Sequence, residues 1–160
     1  MITQSNRKTL RAATALVSAA ALIGVSAAPA LAHSPKRQLK ASLSGANEVN
    51  ATGQLGAGDP DGSGKARVKI DLRKGRLCYD LRVKNIDAAV AAHIHDAAAG
   101  VNGLVVVTLA APVNGRSRGC LTVEATLLTD IRTNPSEYYV NVHNLAFPGG
   151  AVRGQLASKR

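Results

Sequence analysis

The chain has 160 residues, with 20 Lys and Arg against 10 Asp and Glu, and only 2% of its residues are aromatic. That length suits one domain around a single core, and so few aromatics among the cations argue against a nucleic-acid reader that stacks bases. Its 2 cysteines lie outside any Cys-x-x-Cys spacing, which argues against a dithiol redox pair.

In chain order, Arg7, Lys8 and Arg11 precede an uncharged run from Ala12 to Ala28, and Ala30-Leu31-Ala32 is the small-x-small pattern that signal peptidase cuts after. Residues 1–32 are therefore expected to be a signal peptide; the alanine richness of the run favours this over an uncleaved anchor. No cysteine follows the cut to carry a lipid. The mature chain then starts near His33, is secreted, and has no transmembrane segment. It keeps 17 basic and all 10 acidic residues, a formal charge of +7. Such a protein is expected to associate loosely with the cell wall or another anionic surface, rather than with nucleic acid.

A short polar tail, 33–38, leads to Leu39, Ala41 and Leu43, whose alternation predicts a first strand ending near Ser44-Gly-Ala-Asn-Glu-Val49. Thr52 to Gly64 reads as a loop. Asp59-Pro-Asp-Gly-Ser-Gly64 matches the first half of a calcium loop, but the twelfth position is Ile70, where a bidentate Glu is required. Ala66, Val68, Ile70 and Leu72 alternate with Lys65, Arg67, Lys69 and Asp71, a half-buried strand. Arg73-Lys-Gly-Arg76 turns the chain into a partner strand of Leu77, Tyr79, Leu81 and Val83. A strand within Ala88 to Asp96 carries His93 and His95. The apolar run Leu104 to Leu109 predicts a strand covered on both faces, and Cys120 to Ala125 predicts another. Thr126 to Asn134 predicts a helical turn before Pro135. Cys78 and Cys120 both point away from the apolar side of their strands, so an outer-surface disulfide is expected in an oxidising compartment.

The chain closes with a hairpin. Val140 and Val142 alternate with Tyr139, Asn141 and His143, and Val152 and Leu156 alternate with Arg153 and Gln155. Pairing Leu145 with Ala151 sets Val142 opposite Gly154 and His143 opposite Arg153. About eight short strands result, an all-β antiparallel sandwich or barrel with one disulfide. His-x-His on a strand directs both imidazoles to one face, a recurrent geometry for copper or zinc, with His143 as a third ligand if its strand neighbours His93. The preferred reading needs no cofactor: Glu48, His93, His95, Asn141, His143 and Arg153 form a hydrogen-bonded cluster, and a cation opposite His143 disfavours a dication. A Gly-x-Ser-x-Gly elbow is absent, so a serine hydrolase is not expected.

Leu43-Ser-Gly-Ala-Asn-Glu-Val49, Ala92-His-Ile-His95, Gly103 to Leu109, Tyr138-Tyr-Val-Asn-Val-His143 and Phe147-Pro-Gly-Gly-Ala-Val-Arg-Gly-Gln-Leu156 together resemble the CHRD (chordin) domain family, in its bacterial exported form. The likeness covers residues 39–157. Where family members tend to have prolines after Glu-Val, this chain has Asn50-Ala51. The resemblance implies an exported all-β module. Animal chordin binds growth factors, but no residue here maps to that binding. A more distant likeness to copper/zinc superoxide dismutases rests on His-x-His alone, since their zinc-loop ligands have no counterpart after His95. The expectation is a non-catalytic binding or structural module whose partner is an anionic envelope polymer or an extracellular protein; the alternative is a copper or zinc site at His93, His95 and His143.

Overall fold

A computed structural model describes residues 37–158; the expected signal peptide and residues 33–36 of the polar tail lie outside them. Strict alternation builds the first three strands. β1 (Arg37–Ser44), β2 (Ser63–Asp71) and β3 (Arg76–Lys84) form an antiparallel meander in which Leu39, Val68 and Tyr79 lie side by side, as do Ala41, Ala66 and Leu81. Gly75 makes the β2–β3 turn in the left-handed region, at φ 56°, where a β-carbon is disfavoured. Directly paired residues share a face, so these rows turn inward together and their polar neighbours turn out.

β4 (Ala91–Asp96) and β5 (Leu104–Leu109) form a hairpin on the far side of the sheet, and β6 (Arg116–Thr122) returns to β3. β7 (Tyr138–His143) lies between β4 and β8 (Val152–Gln155), and β8 adjoins β1. The order is therefore β5-β4-β7-β8-β1-β2-β3-β6, antiparallel throughout, with the two-residue β9 (Ala157–Ser158) pairing the start of β1. The sheet curls into a nearly closed barrel. Tyr79 bridges its open seam: its hydroxyl accepts from Ala110 N at 2.9 Å, and its ring lies over Gly119, where an added Cβ would fall 2.9 Å from the hydroxyl.

Inside the barrel, Leu39, Val68, Ile70, Leu77, Leu81, Ile94, Val140, Val142, Val152 and Leu156 are buried. The helix α1 (Ala125–Thr133) adds Leu128 and Ile131 to the same core, and Tyr138 Oη donates to Asp130 Oδ2 at 2.7 Å, tying the helix to β7. Truncating either buried aliphatic to Ala costs about 2–5 kcal/mol in comparable cores. Among the described residues, no helix is long and apolar enough to cross a membrane.

Several boundaries differ from the sequence expectations. β1 takes in Arg37 and Gln38, and β6 runs from Arg116 because its ladder with β3 continues to Arg82↔Arg116, leaving Ala125 to start the helix. The run Leu104–Leu109 is not covered on both faces. It is an edge strand, and Leu104 and Val105 are 81% and 49% exposed. In the C-terminal hairpin Val142 pairs with Val152 and Asn141 with Arg153, two residues from the expected register, because the chain turns directly after Asn144 and Ala151 N donates to Val142 O.

Cys78 and Cys120 are directly opposed on β3 and β6, form a disulfide with Cα atoms 3.9 Å apart, and point outward as expected. The bridge closes 42 residues of chain, worth about 4 kcal/mol on the chain-entropy model. Replacing both cysteines by Ala should lower the unfolding free energy by up to that amount in denaturant titration; an unchanged midpoint would mean that the β3–β6 ladder holds the edge unaided.

Candidate functional site

β7 is covered on both faces. Tyr138, Val140 and Val142 face the core, while Tyr139 and Asn141 face outward and are still buried. The cover comes from two loops, residues 45–62 and 97–103, drawn over the outer face of β4, β7 and β8. Polar side chains in such a layer must find partners within the protein.

Arg153 supplies most of them. It is 2% exposed; Nη1 donates to Asn102 Oδ1 at 3.1 Å, and Nη2 donates to Ala98 O at 3.3 Å and to Val101 O. The guanidinium carbon sits 3.4 Å from the centroid of the Tyr139 ring, a cation–π contact. Asn102 Nδ2 passes the link on to Val49 O at 3.1 Å and Asn50 O at 3.0 Å, joining one covering loop to the other. Gln155 Nε2 holds Ala97 O at 2.7 Å, and Gly103 N donates to Tyr139 Oη at 3.2 Å.

Glu48 lies under the first loop, 2% exposed. Its Oε2 accepts from Asn141 Nδ2 at 3.4 Å, while Oε1 has no partner. Gly150, at φ 145°, is what admits it: a Cβ there would fall 2.5 Å from the Glu48 carboxyl atoms. Burial pushes the carboxyl up to about 7, against the opposing pull of the Arg153 charge and the Asn141 hydrogen bond. A neutral carboxyl carries an O–H donor, and Asn141 Oδ1, on the residue that bonds Glu48, is a buried acceptor without one.

The three histidines gather on β4 and β7, next to this network. His93 Nδ1 is 3.2 Å from His143 Nε2. His95 Nδ1 is 3.0 Å from Gly103 O, and His143 Nδ1 is 3.0 Å from Pro148 O. A carbonyl oxygen only accepts, so both of these Nδ1 atoms carry the proton and both Nε2 atoms keep a lone pair. His95 Nε2 is buried without a partner. His95 also stacks on Tyr139, with ring centroids 4.7 Å apart and planes within 7°. Burial lowers the pKa of all three imidazoles, so the neutral forms dominate near neutral pH. Among the described residues, one ligand atom from each of His93, His95 and His143 lies within 4.8 Å of the other two.

A profile of the CHRD domain matches residues 39–156. The chain belongs to the CHRD domain family. No curated protein and no solved structure matches it.

Within this CHRD domain, the structure brings together all six residues singled out from sequence, but as two groups. Glu48, Asn141 and Arg153 form one, and the histidines form the other; Tyr139 touches both. The single cluster expected from sequence is thereby corrected. Arg153 sits opposite Asn141 and extends over Tyr139 to the loop carbonyls, so the histidines bond to Gly103 O, Pro148 O and one another. Asp96, adjacent to the histidine pair in sequence, is exposed and outside the group. Tyr139 shares the parity of Asn141 and His143 and was legible on that ground. Asn102 was not, because nothing in the 97–103 loop is periodic.

Glu48 gives a pH dependence of known sign. Its folded pKa lies above the ordinary 4.5, so the stability of the neutral form is complete below 4.5 and is lost as pH rises through about 7. The ionised form then costs up to roughly 3 kcal/mol. Glu48→Gln should become more stable relative to wild type between pH 5 and 8, by up to that amount in paired denaturation curves. Parallel pH profiles would contradict the assignment.

Proposed function

We propose that this CHRD domain is an exported, non-catalytic binding module that associates with an anionic polymer of the cell envelope. The observation that carries the reading is the bare half of the barrel. Among the described residues no loop lies over the outer face of β1, β2, β3 and β6, and nine cations project from it. Lys40, Arg67 and Arg118 lie in one cross-strand row, and Lys65, Arg82 and Arg116 in the next, with Lys69, Lys84 and Arg76 beyond them. Asp80 and Asp71 are the acids on that face, and Asp80 is already held by Arg116 at 2.6 Å and Arg82 at 3.4 Å.

Neighbouring strands are about 4.8 Å apart and same-face residues along a strand about 6.8 Å, which sets the cations at the spacing of repeated charges on a polymer. A groove of about 360 Å³ runs beside the disulfide between Arg67, Lys69 and Arg118. Protein interfaces usually centre on buried aromatic or aliphatic anchors, and the outward positions of these strands carry none, which favours a polyanion over a folded protein. Export rests on the leader-like residues 1–32, and the non-catalytic reading on a sequence without a Gly-x-Ser-x-Gly elbow and on cysteines joined in a disulfide.

Binding of the purified chain to poly(glycerol phosphate) and to neutral dextran should separate sharply. The phosphate polymer should bind and weaken as salt shortens the screening length from about 10 Å at 0.1 M to about 3 Å at 1 M. The double variant Arg67→Glu, Lys69→Glu should bind it about tenfold more weakly or worse, since each reversal also adds repulsion. Equal binding to dextran, or an unaffected double variant, would overturn the reading.

A further inference from the structure

The histidine group lies on the opposite half of the barrel, outside the basic face. We propose that His93, His95 and His143 form a three-imidazole site for a first-row transition dication of the zinc or copper(II) type.

The donor set fits such an ion. Two imidazoles bound to one tetrahedral zinc at 2.0–2.1 Å have nitrogens about 3.3 Å apart, close to the 3.2 Å between His93 Nδ1 and His143 Nε2. Each ligating nitrogen needs a lone pair, and in two of the three rings a backbone carbonyl fixes the tautomer that supplies it, Gly103 O for His95 and Pro148 O for His143. Backbone carbonyls that accept from the other ring nitrogen orient metal-bound histidine in this way. His95 Nε2 is buried with nothing to bond, an arrangement that costs stability unless a ligand fills it. In the free protein His93 Nδ1–H donates to His143 Nε2, and binding moves that proton to His93 Nε2, so no net charge need be displaced.

The cation expected opposite His143 is displaced from it by two residues along β7, although its charge still bears on His95. Arg153 faces Asn141, and its guanidinium is committed to Tyr139 and the 97–103 loop. His93 and His143 are only part-buried, which leaves a route from solvent and coordination positions open for water or an outside ligand. An all-nitrogen set without carboxylates suits zinc or copper, and not calcium or magnesium, which take oxygen ligands.

The test uses the full chain with its own leader, purified without a histidine tag, stripped with chelator, and titrated calorimetrically with copper(II) and zinc. One ion per chain should bind. Affinity should fall about a hundredfold or more in each of His93→Ala, His95→Ala and His143→Ala, as expected when a ligand itself is removed. Far-UV circular dichroism shows which variants remain folded. His143→Gln provides a milder second variant if His95→Ala does not fold, and X-ray absorption on the loaded wild type counts imidazoles without any substitution. Arg67→Glu, Lys69→Glu should bind the ion as wild type does, which separates this site from the polymer face. No uptake at micromolar ion, uptake that survives the histidine substitutions in folded protein, or an absorption spectrum with fewer than three imidazoles would overturn the proposal.

Discussion

The structure depends on one buried cation. Arg153 stands on β8 almost wholly shielded from solvent, and a guanidinium in that position must spend its donors on fixed acceptors or be excluded. It finds them in the backbone carbonyls and Asn102 of the 97–103 loop, with its flat face on Tyr139. The loop is thereby laid over β7, and Asn102 carries the constraint to Val49 and Asn50 in the other covering segment. Tyr139 then offers its ring to His95, whose position is completed by Gly103 of the same loop. The orientation of the histidines is in this sense a consequence of how Arg153 is satisfied.

The barrel has two unlike halves as a result. On β4, β7 and β8 the outer face is covered and polar, and the atoms left unpaired there carry chemical weight: an acid held neutral at Glu48, an imidazole nitrogen with no partner at His95. On β1, β2, β3 and β6 the outer face is left bare by the described residues and is cationic, pinned at its edge by the disulfide. The proposed polymer contact belongs on the second half and the proposed coordination site on the first, with the packed interior between them.

Alternation of apolar and polar residues was enough to read most strands and the outward placement of both cysteines. It also placed Asn141, His143 and Arg153 correctly on one face, even though the hairpin register was two residues off. A shift of two preserves every face, whereas a shift of one would have inverted them. The pairing itself was illegible, since it depends on where the loop between Asn144 and Ala151 closes, and a Gly-rich loop tolerates more than one closure. The expected burial of Leu104 failed for a related reason: an apolar run reveals hydrophobicity but not whether a neighbour exists to cover it, and β5 is the last strand of the sheet. The cover over β7 left little trace in sequence because it is held through backbone carbonyls of Ala97, Ala98 and Val101, which any residue supplies.

The most direct measurement is residue-resolved hydrogen exchange on the wild type and on Arg153→Lys, which keeps the charge but loses the planar fork and the stacking face. If Arg153 holds the cover, the amides of Val101 and Gly103, and those of Ala57 and Gly58 in the other loop, lose protection while the β1–β2–β3 ladder keeps its own. Unchanged protection in both loops, or an equal loss across the whole barrel, would show that the cover is held by something other than this side chain.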